Sequence, residues 1–123
     1  MGLFDQFITV DIKKNMGMAG LTDEFFCVYL NNLYFVFFII EQYDKAEPLL
    51  IEHSNIIRKH IKTNFEYLSE KERQLYWNTQ SHYFNIYYPS FCYSYYPQKK
   101  SISEFAYNNA ILTKGLLLNA STQ

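Results

Sequence analysis

The stretch Tyr43-Asp44-Lys45-Ala46-Glu47-Pro48 separates two apolar segments and decides how this part of the chain folds. A strongly apolar run over residues 33–40 precedes it, and Leu50 and Ile57 follow it about two helical turns apart. A short polar turn between two such segments is the pattern of a helical hairpin. The sequence therefore predicts an all-α fold built from antiparallel helical hairpins.

The residues around this turn resemble the tetratricopeptide repeat, a hairpin unit of about 34 residues. With the repeat beginning at Cys27, the positions that match its pattern are Leu33, Phe37, Tyr43, Ala46 and Leu50. The resemblance implies that Ala46 is the small residue at which the two helices cross. It also implies an α-α superhelix, of which this chain would be a fragment.

Three positions depart from the repeat pattern. Tyr34 occupies a site that is usually Gly or Ala, Glu41 stands where Gly is common, and His53 replaces a small residue. The resemblance further implies that the first helix of the hairpin lines a peptide-binding groove. Asn31 and Asn32 on that helix are then candidates to hydrogen-bond a bound protein or peptide, and a local hydrogen bond is the alternative.

The second half of the chain resembles the segment that joins the repeats to the CHAT domain in bacterial TPR–CHAT proteins. The matching stretches are residues 68–73 with Tyr76 and Trp77, residues 106–110 and residues 114–118. The resemblance implies that a caspase-like domain follows Gln123 and that its catalytic His and Cys lie outside this chain. The downstream domain is then a candidate partner.

Composition narrows the class of protein. The 123 residues are 49% hydrophobic and 20% aromatic, which indicates a packed core and not a disordered chain. The formal net charge is -1, and the basic residues at 58–62 form only a local cluster near a predicted helix end, where cations favour the helix dipole. We therefore expect no nucleic-acid partner.

The cysteines do not indicate a disulfide framework, and the apolar segments do not indicate a transmembrane helix. Cys27 and Cys92 are far apart and form no CxxC pair. The run over residues 33–40 is much shorter than the roughly 20 residues needed to cross a bilayer. Since the start of the chain also lacks the pattern of a signal peptide, we expect a cytoplasmic location.

About five helices are predicted. They cover residues 3–15, 22–40, 44–62, 69 into the tyrosine-rich stretch, and 101–119. This order divides the chain into a remnant of a preceding repeat over residues 1–20, the repeat-like hairpin over residues 21–62, and a C-terminal helical pair over residues 63–123 that leads toward the absent domain.

Several helix starts are marked by capping residues. Thr22 or Asp23 can cap the first helix of the hairpin. Residues 69–72 and 101–104 both read S-x-x-E, the capping box in which serine and glutamate satisfy each other's backbone donors. Residues 63–66 also fit this box, so the sequence leaves open where the third helix ends.

Aromatic residues crowd the stretch from Tyr83 to Tyr96. Tyr83, Tyr87 and Phe91 are spaced four apart, which places them on one helix face, and Pro89 must kink or end that helix. One interpretation makes Tyr87, Phe91 and Tyr95 partner-binding residues, and it leads us to expect a homodimer. The alternative is that these aromatics form the core.

No residue pattern indicates catalysis. His53, His60 and His82 are the only histidines, and no H-E-x-x-H motif is present, so we expect no bound metal or cofactor. Cys92 has no nearby histidine in sequence apart from His82, ten positions away. We expect a protein-interaction module that is not an enzyme; the rival interpretation is a self-contained helical bundle that only dimerises.

Overall fold

The computed structural model describes residues 13–14, 16–18, 20 and 22–122. The chain divides into two compact units, Met1–Lys62 and Thr63–Gln123. The predicted all-α class is confirmed, because the described residues form helices and turns and no strand. Most of the remnant predicted over residues 1–20 lies outside the described residues; Lys13 and Lys14, from its predicted helix, are helical.

The first unit contains helix α1 (Asp23–Ile39) and most of helix α2 (Tyr43–Phe65). The start of α1 meets the end of α2, since the Asp23 carboxylate lies 3.5 Å from the Lys59 ammonium. The end of α1 meets the start of α2, where the Phe38 and Tyr43 ring centroids are 5.7 Å apart. The two helices therefore form the predicted antiparallel hairpin.

Local hydrogen bonds set the helix starts. The Thr22 hydroxyl accepts a bond from the Phe25 N–H at 3.4 Å and caps α1, as predicted. Helix α2 begins one residue before the predicted Asp44, because the Ala46 N–H already donates to the Gln42 carbonyl at 3.1 Å. The same helix continues to Phe65, so the competing capping pattern at 63–66 does not start a helix.

The turn between the helices closes through a left-handed residue. Glu41 has a φ of 61°, the conformation that glycine adopts most easily. Its N–H donates to the Phe38 carbonyl at 3.1 Å, and the Gln42 N–H donates to the Phe37 carbonyl at 2.9 Å. This pair of bonds is the Schellman motif, which satisfies the last carbonyls of α1.

The core of the first unit lies along one face of each helix. Helix α1 contributes apolar residues at helical spacing, and α2 contributes a longer set that includes Ala46 and Leu50, which are both buried. Leu33 and Phe37, which match the same repeat pattern, are only half-buried. The buried apolar residues are Phe26, Cys27, Leu30, Tyr34, Ala46, Leu50, Ile56, Ile57 and Ile61.

The second unit contains helices α3 (Glu70–His82), α4 (Tyr88–Tyr95) and α5 (Ile102–Thr122). The predicted capping box starts α3: the Glu72 N–H donates to Ser69 Oγ at 3.3 Å, and the Ser69 N–H donates to Glu72 Oε1 at 3.0 Å. Helix α5 packs against both α3 and α4.

A π-helical turn over Tyr83–Tyr87 joins α3 directly to α4. Its signature is the bond from the Tyr88 N–H to the Tyr83 carbonyl, five residues earlier. Proline has no N–H and its ring clashes with the preceding helical turn, so the widened turn lets the chain continue into Pro89 without a break. The predicted disruption at Pro89 therefore takes the form of a π turn.

Aromatic rings fill the core of the second unit. The Trp77 and Phe84 rings are 5.6 Å apart, Phe84 and Tyr88 are 5.1 Å apart, and the contact of Tyr88 with Phe105 at 5.8 Å brings in α5. Edge-on and tilted ring contacts at these distances stabilise a core beyond the area they bury.

Candidate protein interaction surface

Helix α1 is apolar on two opposite sides. One side is buried in the first unit, and the other carries Phe25, Val28, Val36 and Ile39, which are between 53% and 74% exposed. Asn32 is exposed in the middle of this second stripe. We call these five residues the outer face of α1.

The spacing of α1 explains why the outer face is continuous. At 3.6 residues per turn, its members project within an arc of about 80°. A helix that is apolar all round is normally covered on every side, and large exposed apolar patches usually mark interaction sites. The outer face is therefore the best candidate in this chain for contact with another protein.

The predicted groove residues divide between this face and its edge. Asn32 lies at the centre of the outer face, whereas Asn31 is half-buried. The apolar members of the face were not among the residues predicted from the sequence. Their signal was present, since Phe25, Asn32 and Ile39 recur every seven residues, but it overlaps with the stronger core pattern of the same helix.

The aromatic candidates in the second half do not form a surface. Phe91 and Tyr95 are buried and Tyr87 is half-buried, so the assignment of Phe91 and Tyr95 as exposed partner-binding residues is corrected. Phe91 and Tyr95 pack against each other inside the second unit, with ring centroids 5.4 Å apart. Tyr87 instead meets the His82 ring edge-on, with centroids 5.3 Å apart.

A cluster of opposite charges holds the base of the hairpin. Asp23 forms ion pairs with Lys13 and with Lys59 at 3.5 Å, and the His60 Nε2 atom lies 3.7 Å from the same carboxylate. Partial burial by itself would raise the pKa of the Asp23 carboxyl. The hydrogen bond from Lys13 and the charges of Lys13 and Lys59 outweigh it, so the pKa lies below its ordinary value. The basic residues at 58–62 thus act in part as structural partners.

The thiol of Cys27 is held in its protonated form. Burial, with the nearby carboxylates of Asp23 and Glu52, raises its pKa to about 12. A thiolate is the nucleophilic form of cysteine, so this side chain behaves at neutral pH as a small apolar core residue. Cys92 is also buried, in the second unit.

Each of the three histidines packs against or lies beside other side chains. His53 is buried in α2, His60 lies beside Asp23, and the His82 ring lies tilted against the Tyr83 ring with centroids 4.1 Å apart. In the part of the chain that the structure describes, no group of three or more His, Cys, Asp or Glu is arranged to hold a metal ion.

Two open clefts flank Ala106 of α5 in the second unit. The first has a volume of about 380 Å³ and reaches from Ala106 along the π turn, and the second has a volume of about 490 Å³ and reaches toward the end of α4. Their lining side chains among the described residues are uncharged. The first cleft carries the polar side chains of Asn85, Asn109 and Thr113, and the second carries those of two serines and two tyrosines.

Comparisons with protein-family models, curated proteins and solved structures find no match to this chain. Among the described residues, no helix combines the length and the apolar character needed to cross a bilayer.

Proposed function

We propose that this chain is a non-catalytic protein-interaction module of the tetratricopeptide-repeat type, and that the outer face of α1 is its contact surface. The observation that carries the proposal is the exposure of four large apolar side chains on one helix face. A cytoplasmic protein or peptide partner fits a surface of this kind, because burying apolar area contributes roughly 25 cal/mol per Å².

The geometry of the hairpin supports the repeat assignment. Ala46 and Leu50 are buried in α2, and a left-handed residue closes the turn at the position where the repeat commonly has glycine. By the same resemblance we propose that the module belongs to a larger chain, in which a CHAT peptidase-like domain follows and is a partner or a target of regulation. Sequencing the coding region beyond Gln123 tests this second part: a domain with paired His and Cys supports it, and its absence contradicts it.

A charge introduced into the outer face tests the contact surface. Val36→Lys places an ammonium where an apolar contact is proposed. When the chain is used as bait in a pull-down, we expect this variant to lose the partner proteins that the unmodified chain captures. Leu75→Lys is the matched control, since Leu75 is 58% exposed but lies on α3 in the second unit. Each captured protein is purified and tested again for direct binding. Equal binding by both variants would contradict the proposed surface.

A self-contained bundle that only dimerises is the second candidate function. One observation favours it: the outer face of α1 has the same order of apolar and polar positions in both directions from Asn32.

A further inference from the structure

The outer face of α1 is symmetric about Asn32. Phe25 and Ile39 are each seven residues from Asn32, and Val28 and Val36 are each four residues from it. Reversing the direction of the helix therefore leaves the order of apolar and polar positions unchanged. A surface with this property is complementary to a second copy of itself, which is the requirement for a two-fold interface.

We infer that α1 pairs in antiparallel orientation with α1 of a second copy, with Asn32 of both copies meeting on the two-fold axis. This inference rests on the proposed contact surface and names its occupant. In the pairing, Phe25 lies against Ile39 of the other copy and Val28 lies against Val36. Recurrence every seven residues at Phe25, Asn32 and Ile39 matches the seam of a two-stranded coiled coil.

Asn32 selects a second copy over an unrelated apolar partner. Its carboxamide can donate two hydrogen bonds and accept two. Against an apolar helix these groups would be buried without hydrogen bonds, which weakens the contact. Across a two-fold axis, each amide N–H faces the carbonyl of the other amide, so both are satisfied. A single asparagine in an apolar seam also fixes the register of paired helices.

Charge and helix dipoles favour the antiparallel orientation. The sequence from Phe25 to Ile40 contains no Asp, Glu, Lys or Arg, so no like charges meet along the seam. Antiparallel packing places the positive end of each helix dipole beside the negative end of the other. It also pairs the large Phe25 with the smaller Ile39. Parallel packing would instead place Phe25 on Phe25 at one end of the interface and Ile39 on Ile39 at the other, so the side chains would fill the two ends unequally.

Disulfide trapping in the full chain tests the orientation. Val28→Cys and Val36→Cys are prepared separately, mixed, and oxidised. The antiparallel pairing predicts a mixed disulfide between the two variants. It predicts no self-linked Val28→Cys, because the two copies of position 28 are offset by about 12 Å along the helices and a disulfide needs Cα atoms within about 7 Å. The unmodified chain is the control, since Cys27 and Cys92 are buried.

Light scattering over a concentration series tests the association itself. We expect the unmodified chain to reach twice its monomer mass, Val28→Lys to stay monomeric, and Leu75→Lys to remain dimeric. Self-linked Val28→Cys without the mixed product overturns the inference, and so does a monomer at every concentration. If that monomer still binds another protein and Val36→Lys abolishes the binding, the proposed contact surface stands and only the second copy is wrong. If neither dimerisation nor binding of another protein is changed by the substitutions in α1, the proposed contact surface and the proposed dimer are both wrong.

Discussion

Replacing Glu41 by glycine is expected to stabilise the hairpin. Glu41 has a φ of 61°, a region that L-residues other than glycine adopt at a cost. The bonds that close the turn involve only backbone atoms of residues 37, 38, 41 and 42, so the substitution keeps them. What changes is the strain at this one residue and the freedom of the unfolded chain.

The size of the effect follows from two opposing terms. Relief of the left-handed conformation gains about 1–2 kcal/mol. The greater entropy of glycine in the unfolded chain offsets about 0.4–1 kcal/mol of this gain. We therefore expect Glu41→Gly to raise the free energy of unfolding by roughly 0.5–1 kcal/mol. Urea unfolding followed by far-ultraviolet circular dichroism measures the change as a shift of the midpoint at constant slope.

Two further variants separate backbone strain from other effects. Glu41→Ala removes the carboxylate but keeps a Cβ in the same conformation, so its stability should stay within about 0.5 kcal/mol of the unmodified chain. Gly17 has a φ of 73° and open space around the position of a Cβ, so Gly17→Ala should lose about 1 kcal/mol from the backbone alone. The reasoning is refuted if Glu41→Gly destabilises the chain, or if Glu41→Ala stabilises it equally.

Four other substitutions probe the packing and the charges. Ala46→Leu should lower the free energy of unfolding by about 1–3 kcal/mol by overpacking a fully buried site; an unchanged melting temperature would contradict a close crossing. Phe91→Ala should cost about 3–5 kcal/mol, whereas Tyr93→Ala, at a residue 86% exposed, should change stability by less than about 0.5 kcal/mol; tryptophan fluorescence during urea unfolding compares them. The pKa of Asp23 is lower in the folded chain than its ordinary value of 3.8. Ionised Asp23 therefore stabilises the folded state at pH values above 3.8, and this stabilisation is lost as the pH falls through the pKa of the folded chain. Asp23→Asn should flatten this part of the stability–pH curve, and an identical curve would count against the ion-pair cluster.

Helix starts could be predicted well from the sequence because capping is local. The box at Ser69 and Glu72 and the cap at Thr22 involve residues within three positions of each other, so tertiary packing changes them little. Helix ends were less certain. The third predicted helix extends to Phe65, where the Arg73 Nε donates to the Phe65 carbonyl at 2.9 Å, and this partner lies eight residues further along the chain.

The aromatic stretch shows where reasoning from spacing fails. Residues four apart share a helix face only while the helix stays regular. The turn over Tyr83–Tyr87 is π-helical, and beyond it Phe91 is buried whereas Tyr83 and Tyr87 are half-buried. Conversely, the outer face of α1 was not predicted, because sequence alone does not tell which of two apolar stripes on one helix finds a covering neighbour.

Because both cysteines are buried, the rate at which each thiol is alkylated measures how often its unit opens locally. Cys27 belongs to the first unit and Cys92 to the second, and an alkylating reagent reaches a buried thiol only when the surrounding structure opens. Because the pKa of Cys27 falls to its ordinary range once it is exposed, its labelling rate at mildly alkaline pH reports the population of the opened hairpin. Mass spectrometry of the two labelled peptides would therefore follow the exchange kinetics of each unit separately within one chain.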